Sequence, residues 1–236
     1  MNEESLSERS EPFVRWLGVW RDGLDRRSFA AAVPESGAAA VMSVDLINGF
    51  CYEGPLASPR VAAIVPAVVA LFETAHAAGV NRFLLFQDTH GDEASEFDAF
   101  GPHCIAGTRQ AETIPALAAL PFSGLFRIVG KNSLSPAIGT ILDEEIDSHG
   151  EIDHFIVVGD CTDLCVYQLA MHLRLTANAA NIRRTVIVPA DCVETYDMQV
   201  EWAGEMGVLP HDGGLLHTLF LYHLALNGVE IIAGID

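Results

Sequence analysis

The sequence predicts an α/β domain built on a mostly parallel sheet that helices cover on both faces. Short apolar segments rich in β-branched residues alternate with longer segments whose apolar residues recur at helical spacing. The chain has 236 residues, half of them hydrophobic, which is enough for one large core. We therefore expect a three-layer α/β/α arrangement with six strands and no separate second domain.

The predicted strands are apolar runs too short for helices, and most are followed by a helix with apolar residues three and four apart. The strands are expected at 38–44, 82–87, 125–130, 154–158, 184–189 and 229–233. The helices are expected at 60–79, 136–148, 163–179, 196–207 and 213–226. The connection from 88 to 124 is the exception, because it is long and contains no predicted helix or strand. Loops of that length in compact domains tend to be functional.

Residues 1–35 precede the first predicted strand, so we assign the domain to residues 36–236. Within this N-terminal appendage, Phe13 to Leu24 forms an amphipathic segment that contains Trp16 and Trp20. We expect a helix there that packs on the domain or on a second subunit of a homo-oligomer.

Composition excludes several classes of partner. The formal net charge is −19, with only 13 Lys and Arg, whereas a nucleic-acid-binding protein needs a basic surface. The N-terminus lacks a signal-peptide pattern, and no unbroken apolar run approaches the roughly 20 residues of a membrane span. Five irregularly spaced cysteines argue against a disulfide framework and for a reducing compartment. The sequence therefore predicts a cytoplasmic protein with no membrane partner.

Cys165 lies where a strand is expected to give way to a helix. His154 to Val158 is apolar enough for a buried strand, and Val166 to Ala179 has helical spacing. Thr162 is a candidate N-cap, which would make Cys165 the third helical residue. The helix dipole there favours thiolate over thiol, so Cys165 is a candidate nucleophile. Its alternative role is that of a small buried core residue.

Asp45 and Lys131 each follow a predicted strand. Residues just past the carboxyl ends of parallel strands line one crevice, so both should converge with Cys165. An aspartate can accept the thiol proton and return it to a leaving amine, and a lysine ammonium favours a nearby thiolate. Taken singly, Asp45 is equally well a turn cap and Lys131 a solvated surface residue.

A set of imidazole and carboxylate side chains follows the strand at 82–87. Asp88 and His90 are two residues apart and should point to the same side of an extended chain. His103 follows a Gly-Pro turn and can fold back over them, and Glu96 lies on the polar loop between. Mixed nitrogen and oxygen ligation suits Zn, Fe or Mn better than Ca or Mg. By itself this spacing is a weak indication of metal binding.

The chain resembles the cysteine hydrolases of the isochorismatase-like superfamily, and their nicotinamidase branch in particular, from about Val41 to the C-terminus. The resemblance implies a catalytic triad of Asp45, Lys131 and Cys165. It also implies a cis peptide before Cys161, whose N–H would form an oxyanion hole with that of Cys165. Three blocks of sequence carry the resemblance to this family: Asp45-Leu46-Ile47-Asn48-Gly49-Phe50, Lys131-Asn132-Ser133-Leu134-Ser135 and Gly159-Asp160-Cys161-Thr162-Asp163-Leu164-Cys165-Val166.

The segment from Pro102 to Thr108 resembles the metal loop of nicotinamidases. It implies one divalent transition metal, zinc first, with iron or manganese as alternatives. Where these enzymes often have a third histidine, this chain offers Glu96 or Asp98. We prefer Glu96, because its seven-residue spacing to His103 resembles that of family members that use Glu. The implied ligands are Asp88, His90, Glu96 and His103.

Phe100 stands where nicotinamidases often have Trp, and Phe50 and Phe100 could flank a flat aromatic ring. The resemblance implies a metal-dependent amidohydrolase that converts nicotinamide, a small-molecule amide substrate, to nicotinate and ammonia through a cysteine thioester. Two alternatives stay open. One is a related amidohydrolase that acts without metal on a ureido compound or maleamate. The other is a non-enzymatic redox or binding scaffold that responds to oxidants through Cys161 or Cys165.

Overall fold

A computed structural model of the protein describes residues 5–236, so residues 1–4 of the predicted appendage lie outside the described residues. Nine strands form in this part of the chain: β1 (Arg26–Arg27), β2 (Ala39–Val44), β3 (Phe83–Asp88), β4 (Phe126–Lys131), β5 (His154–Asp160), β6 (Thr185–Pro189), β7 (Val193–Glu194), β8 (Glu230–Ile232) and β9 (Gly234–Ile235).

The same part of the chain forms ten α-helices, several of them a single turn. They are α1 (Leu6–Asp22), α2 (Phe29–Ala32), α3 (Asn48–Cys51), α4 (Pro59–Ala77), α5 (Phe97–Phe100), α6 (Pro115–Ala118), α7 (Leu142–Ser148), α8 (Cys165–Ala180), α9 (Val200–Met206) and α10 (Gly213–Leu226).

The main sheet has the strand order β4-β3-β2-β5-β6-β8, and every neighbouring pair is parallel. This confirms the predicted α/β class and the six strands. The short strand β7 was not predicted; it pairs with the end of β5, beyond the last residue that β6 pairs. A separate parallel pair, β1 with β9, was not predicted either.

Helices cover both faces of the sheet, because successive side chains along each buried strand point to opposite sides. Val41 of β2 shares one core with Phe72 of α4. The next residue, Met42, shares the other core with Leu173 of α8. Helix α10 also packs in this second core, and α1 contacts α10 through aromatic rings around Tyr222.

Helix α4 is, among residues 5–236, the one helix long and apolar enough to match a membrane span by length and composition. The helix is not an unbroken apolar run, because Arg60 and Glu73 interrupt it. Its side chains at Val68, Leu71 and Phe72 are buried in the core against the sheet. This is the position of a core helix in an α/β domain.

Helices α7 and α9 begin several residues later than the sequence predicts. Helix α7 starts at Leu142 rather than at 136, because Gly139 adopts a φ of +69°, outside the right-handed helical region. Helix α9 starts at Val200 rather than at 196, because the backbone of Met198 pairs with that of His211 instead.

Candidate active site

The proposed catalytic side chains lie at one edge of the sheet, where the parallel strands end. Asp45 directly follows β2, and Asp88 and Lys131 are the paired last residues of β3 and β4. Cys165 is the first residue of α8, after β5. Parallel strands bring their carboxyl ends to the same crevice, which is why residues so far apart in sequence meet here.

Lys131 lies at the centre of this group and is 2% exposed. Its Nζ is 2.8 Å from Asp45 Oδ2, 3.6 Å from Cys165 Sγ and 2.5 Å from Asp88 Oδ1. The structure therefore brings the predicted triad together, with Asp88 as a fourth member that the sequence did not connect to Lys131.

The charges of this group hold one another in place. Burial opposes the charge of Lys131, but the charges of Asp45 and Asp88 raise its pKa well above the ordinary value, so it is an ammonium. Burial, together with the charge of Asp88, raises the pKa of Asp45 to about 6 against the opposing effect of Lys131. A carboxyl group with this pKa can take up and return a proton near neutral pH.

The predicted start of this helix, at residue 163 with Thr162 as its N-cap, is wrong. Helix α8 begins at Cys165, and its N-cap residue is Leu164, whose side chain makes no capping bond. Thr162 does not cap because its hydroxyl lies 2.9 Å from His217 Nδ1. Burial raises the pKa of the Cys165 thiol well above its ordinary value, although Lys131 opposes the shift. The resting side chain is therefore a thiol that needs a base.

The turn before Cys165 leaves two backbone N–H groups without an acceptor in the described part of the chain. The peptide bond between Asp160 and Cys161 is cis, as the family resemblance implies. The N–H of Thr162 donates to the carbonyl oxygen of Glu194 at 3.0 Å. Within residues 5–236, the N–H groups of Cys161 and Cys165 donate to no backbone or side-chain oxygen. They are available to an oxyanion.

The four predicted metal ligands form one cluster. One donor atom from each of Asp88, His90, Glu96 and His103 lies within 4.8 Å of all the others. The Nε2 atoms of His90 and His103 lie 3.5 and 3.6 Å from Asp88 Oδ2. Asp98 is exposed and outside the cluster, so the structure brings Glu96 rather than Asp98 to these side chains.

Both histidine rings are oriented through their second nitrogen. His90 Nδ1 lies 2.9 Å from Asn132 Oδ1, and His103 Nδ1 lies 2.8 Å from the carbonyl oxygen of Gly101. Such contacts fix Nδ1 as the donor and direct Nε2 at the cluster, as in metal-binding histidines. His90 Nε2 and Glu96 Oε1 are buried and have no hydrogen-bond partner in the described chain. This donor set fits a divalent cation with mixed nitrogen and oxygen ligands.

Three phenylalanines surround the histidines of the cluster. Phe50 and Phe100 have ring centroids 5.7 and 6.5 Å from that of His103. Sequence reasoning missed Phe97, which lies 5.4 Å from His90 and 5.6 Å from His103. Its only signal was its place next to Glu96. Asn132 was also missed, although it follows Lys131 in a block that resembles the family.

Residues 39–208 match the model of the isochorismatase domain family, and this span contains the predicted triad, the predicted metal ligands and the three phenylalanines. The chain belongs to the isochorismatase family. Nicotinamidase 1 of Arabidopsis thaliana is 24% identical to this isochorismatase-family chain over 214 residues, covering 84% of this chain and 87% of the relative.

Two solved structures share the isochorismatase fold with this chain at low identity. The pyrazinamidase of Pyrococcus horikoshii in complex with zinc has a TM-score of 0.64 and 20% identity, and the match covers 83% of this chain and 98% of that one. The N-carbamoylsarcosine amidase of Thermoplasma acidophilum has a TM-score of 0.61 and 23% identity, with coverage of 82% and 95%. Both likenesses show that this chain has the same fold as those two structures.

Proposed function

We propose that this isochorismatase-family protein is a cysteine amidohydrolase that converts nicotinamide to nicotinate and ammonia. The observation that carries the proposal is the position of Lys131, whose ammonium contacts both Asp45 at 2.8 Å and Cys165 at 3.6 Å. A buried thiol, a carboxyl group with a pKa of about 6 and a fixed cation are the parts that a thioester mechanism needs.

The choice of nicotinamide depends on the cluster of Asp88, His90, Glu96 and His103, which in this proposal holds one divalent transition metal. Zinc is the first candidate and iron or manganese the alternatives. The unpartnered donor atoms of His90 and Glu96 support metal binding, as does the zinc complex of the pyrazinamidase with the same fold. When bound, the cation supplies a Lewis acid for the ring nitrogen of the substrate. Phe50 and Phe100, with Phe97, then flank the ring.

In the first half of the reaction, Asp45 takes the proton of the Cys165 thiol, and the sulfur attacks the carboxamide carbon. The carbonyl oxygen becomes an oxyanion, which accepts hydrogen bonds from the N–H groups of Cys161 and Cys165. When the tetrahedral adduct collapses, the C–N bond breaks and Asp45 gives its proton to the leaving nitrogen. The products are ammonia and a thioester on Cys165.

In the second half, Asp45 takes a proton from water, and the hydroxide attacks the thioester carbon. The C–S bond breaks, the sulfur of Cys165 recovers a proton from Asp45, and nicotinic acid leaves and releases its carboxyl proton to water, which gives nicotinate. Lys131 stabilises the negative charge on Asp45 and on the sulfur throughout.

The five free cysteines support the predicted reducing, cytoplasmic location. Homo-oligomerisation stays a prediction of the sequence.

The second candidate is an amidohydrolase that acts without metal on a ureido compound or maleamate. It is favoured by the triad, whose contacts through Lys131 are complete without a cation. The N-carbamoylsarcosine amidase with the same fold supports it as well.

One assay separates these functions. Ammonia release is measured on nicotinamide, pyrazinamide, benzamide, a ureido compound and maleamate, together with the metal content of the purified protein, and Cys165→Ala serves as the blank. We expect turnover of nicotinamide and pyrazinamide and poor turnover of benzamide, which lacks the ring nitrogen. Metal-free protein that prefers the ureido compound or maleamate would support the second candidate instead. If the protein releases no ammonia from any of these amides, the non-enzymatic scaffold is the hypothesis that remains.

A further inference from the structure

Two histidines from the C-terminal part of the chain hold the nucleophile turn, which we define as residues 161–164. Thr162 Oγ1 lies 2.9 Å from His217 Nδ1, and Asp163 Oδ2 lies 2.8 Å from His211 Nε2. All four residues are buried. Both histidines come after residue 208, where the family match ends, so the match gives them no role.

The hydrogen bonds of His211 require both of its ring nitrogens to carry a proton. Nε2 faces the carboxylate of Asp163 at 2.8 Å, and Nδ1 faces the carbonyl oxygen of Tyr196 at 3.0 Å. A carboxylate and a carbonyl oxygen can only accept, so both nitrogens must donate. His211 is therefore an imidazolium in this arrangement, and its partner Asp163 belongs to the nucleophile turn.

The surroundings stabilise this cation. Burial opposes the charge, but the hydrogen bond and the charge of Asp163 raise the pKa of His211, and Asp197 adds to the effect. The Tyr196 ring stacks on the imidazole, with centroids 3.8 Å apart and planes inclined by 17°. The backbone of His211 also exchanges two hydrogen bonds with Met198, at 2.7 and 2.8 Å. The ring is thus fixed through both its side chain and its backbone.

The other groups packed on the turn cannot replace His211. Burial lowers the pKa of His217, although Glu194 opposes the shift, so its ring is neutral. Glu194 is in turn paired with Arg60 at 2.8 Å. His217 holds only the hydroxyl of Thr162, whereas His211 neutralises the one carboxylate that the turn itself buries, that of Asp163.

We propose that His211 is a positioning residue for amide hydrolysis. As an imidazolium between Asp163 and Tyr196, it holds the nucleophile turn so that the N–H groups of Cys161 and Cys165 face the same point. This inference rests on the proposed function, because it assumes that these two groups bind the oxyanion. His211 does not touch substrate and acts only through Asp163.

The first test is a kinetic comparison of His211→Gln with a control variant, Phe72→Leu, on the amide with the highest kcat. Phe72 is buried against Phe83 at the opposite end of β3 from Asp88 and serves to match the loss of thermal stability. Misplacing an oxyanion donor should lower kcat of His211→Gln by about 10²-fold, as the loss of such a donor does. KM should change little, because the bound amide carries no oxyanion before the sulfur attacks. Phe72→Leu should keep the kcat of the wild type.

The second test uses Asp163→Asn, which keeps the shape of residue 163 but removes its charge. Without the carboxylate, the pKa of His211 should fall towards its usual value of about 6.5. The ring then loses one donor as pH rises through that value, so kcat of the variant should decline from mildly acidic to neutral pH. The wild type should lack this decline, and a merely structural role would not create it.

An unchanged kcat in His211→Gln, or a fall no larger than in Phe72→Leu, would overturn the inference. If His211→Gln does not fold, the pH profile of Asp163→Asn alone tests the inference. A profile with the same shape as that of the wild type would then contradict the positioning role of His211. The proposed function is judged separately, by ammonia release from the wild type. If no amide is hydrolysed, the alkylation rate of Cys165 by iodoacetamide replaces kcat, and an equal rate in His211→Gln and Phe72→Leu excludes a positioning role.

Discussion

The backbone N–H of Asp88 donates a hydrogen bond of 2.8 Å to Oδ1 of Asp45. Asp88 is a candidate metal ligand and Asp45 the candidate base, so two proposed sites with different chemistry share one rigid contact. Lys131 reinforces it by bonding both carboxylates. A substrate held at the cluster is therefore held in a fixed relation to the group that moves the proton.

Replacing Cys165 should separate chemistry from binding. We expect Cys165→Ala to lose turnover by roughly 10⁴-fold or more, as the removal of a covalent nucleophile does. Its fold and its affinity for nicotinamide, measured by calorimetry, should stay near those of the wild type. Cys161→Ala is the matched control, because only the backbone of Cys161 is proposed to act. Equal losses in the two variants would contradict the assignment of Cys165 as the sole nucleophile.

Replacing Asp45 should stop the reaction before the thioester forms. Asp45→Asn keeps the shape of the side chain but cannot accept a proton, so mixing with nicotinamide should yield neither ammonia nor an acyl-enzyme. Mass spectrometry of the mixed sample checks this, and normal build-up of the thioester would show that another group activates the thiol.

The pH profile of the wild type provides a second check on Asp45. Its pKa is raised to about 6, so the group that must be ionised to act as base becomes protonated below that value. The value of kcat/KM should therefore fall as pH drops through about 6. A flat profile across that range would contradict the role of Asp45.

Removing one ligand should remove metal and substrate affinity together. We expect His103→Ala to lose bound metal and to bind nicotinamide weakly, while Cys165 still reacts with an alkylating reagent, because the metal does not generate the nucleophile. Glu96→Ala should reduce metal content, and Asp98→Ala, its exposed neighbour on the same loop, should not. Metal analysis of the purified variants measures this. Full activity on nicotinamide without bound metal would show that the loop is only a structural lid.

The His211–Asp163 pair should make stability depend on pH in a defined window. The pKa of His211 is raised, so its contribution is fully present below about 6.5 and is lost as pH rises through the raised value. The pKa of Asp163 is lowered against the effect of burial, so its contribution is present above about 3.9 and is lost as pH falls through the lowered value.

We therefore expect the free energy of unfolding of the wild type to exceed that of His211→Gln most between those values. The gap should narrow at alkaline pH. Urea denaturation of both proteins over the pH range measures it. A gap that stays constant to alkaline pH would mean that His211 is not charged in the folded state.

Much of the site could be predicted because its side chains lie at the carboxyl ends of strands that the sequence predicts. Asp45, Asp88 and Lys131 come directly at or after apolar runs, and parallel strands must bring such positions together. The start of α8 was mispredicted because the hydroxyl of Thr162 is engaged by His217, 55 residues along the chain. No local sequence pattern predicts a hydrogen-bond partner so far along the chain. His211 escaped prediction for the same reason, since its role depends on a contact with Asp163 and on no motif of its own.

Lys131 also limits how the site can change by mutation. Its ammonium forms ion pairs with two buried carboxylates, those of Asp45 and Asp88, in addition to facing the thiol. Removing one partner of a buried ion pair costs about 3–5 kcal/mol, which is a large part of the stability of an ordinary domain. A neutral residue at this position therefore endangers the fold before it alters the chemistry. New activities on this scaffold are more accessible through the aromatic side chains and the loop that follows Asp88, whose replacement leaves the ion pairs of Lys131 in place.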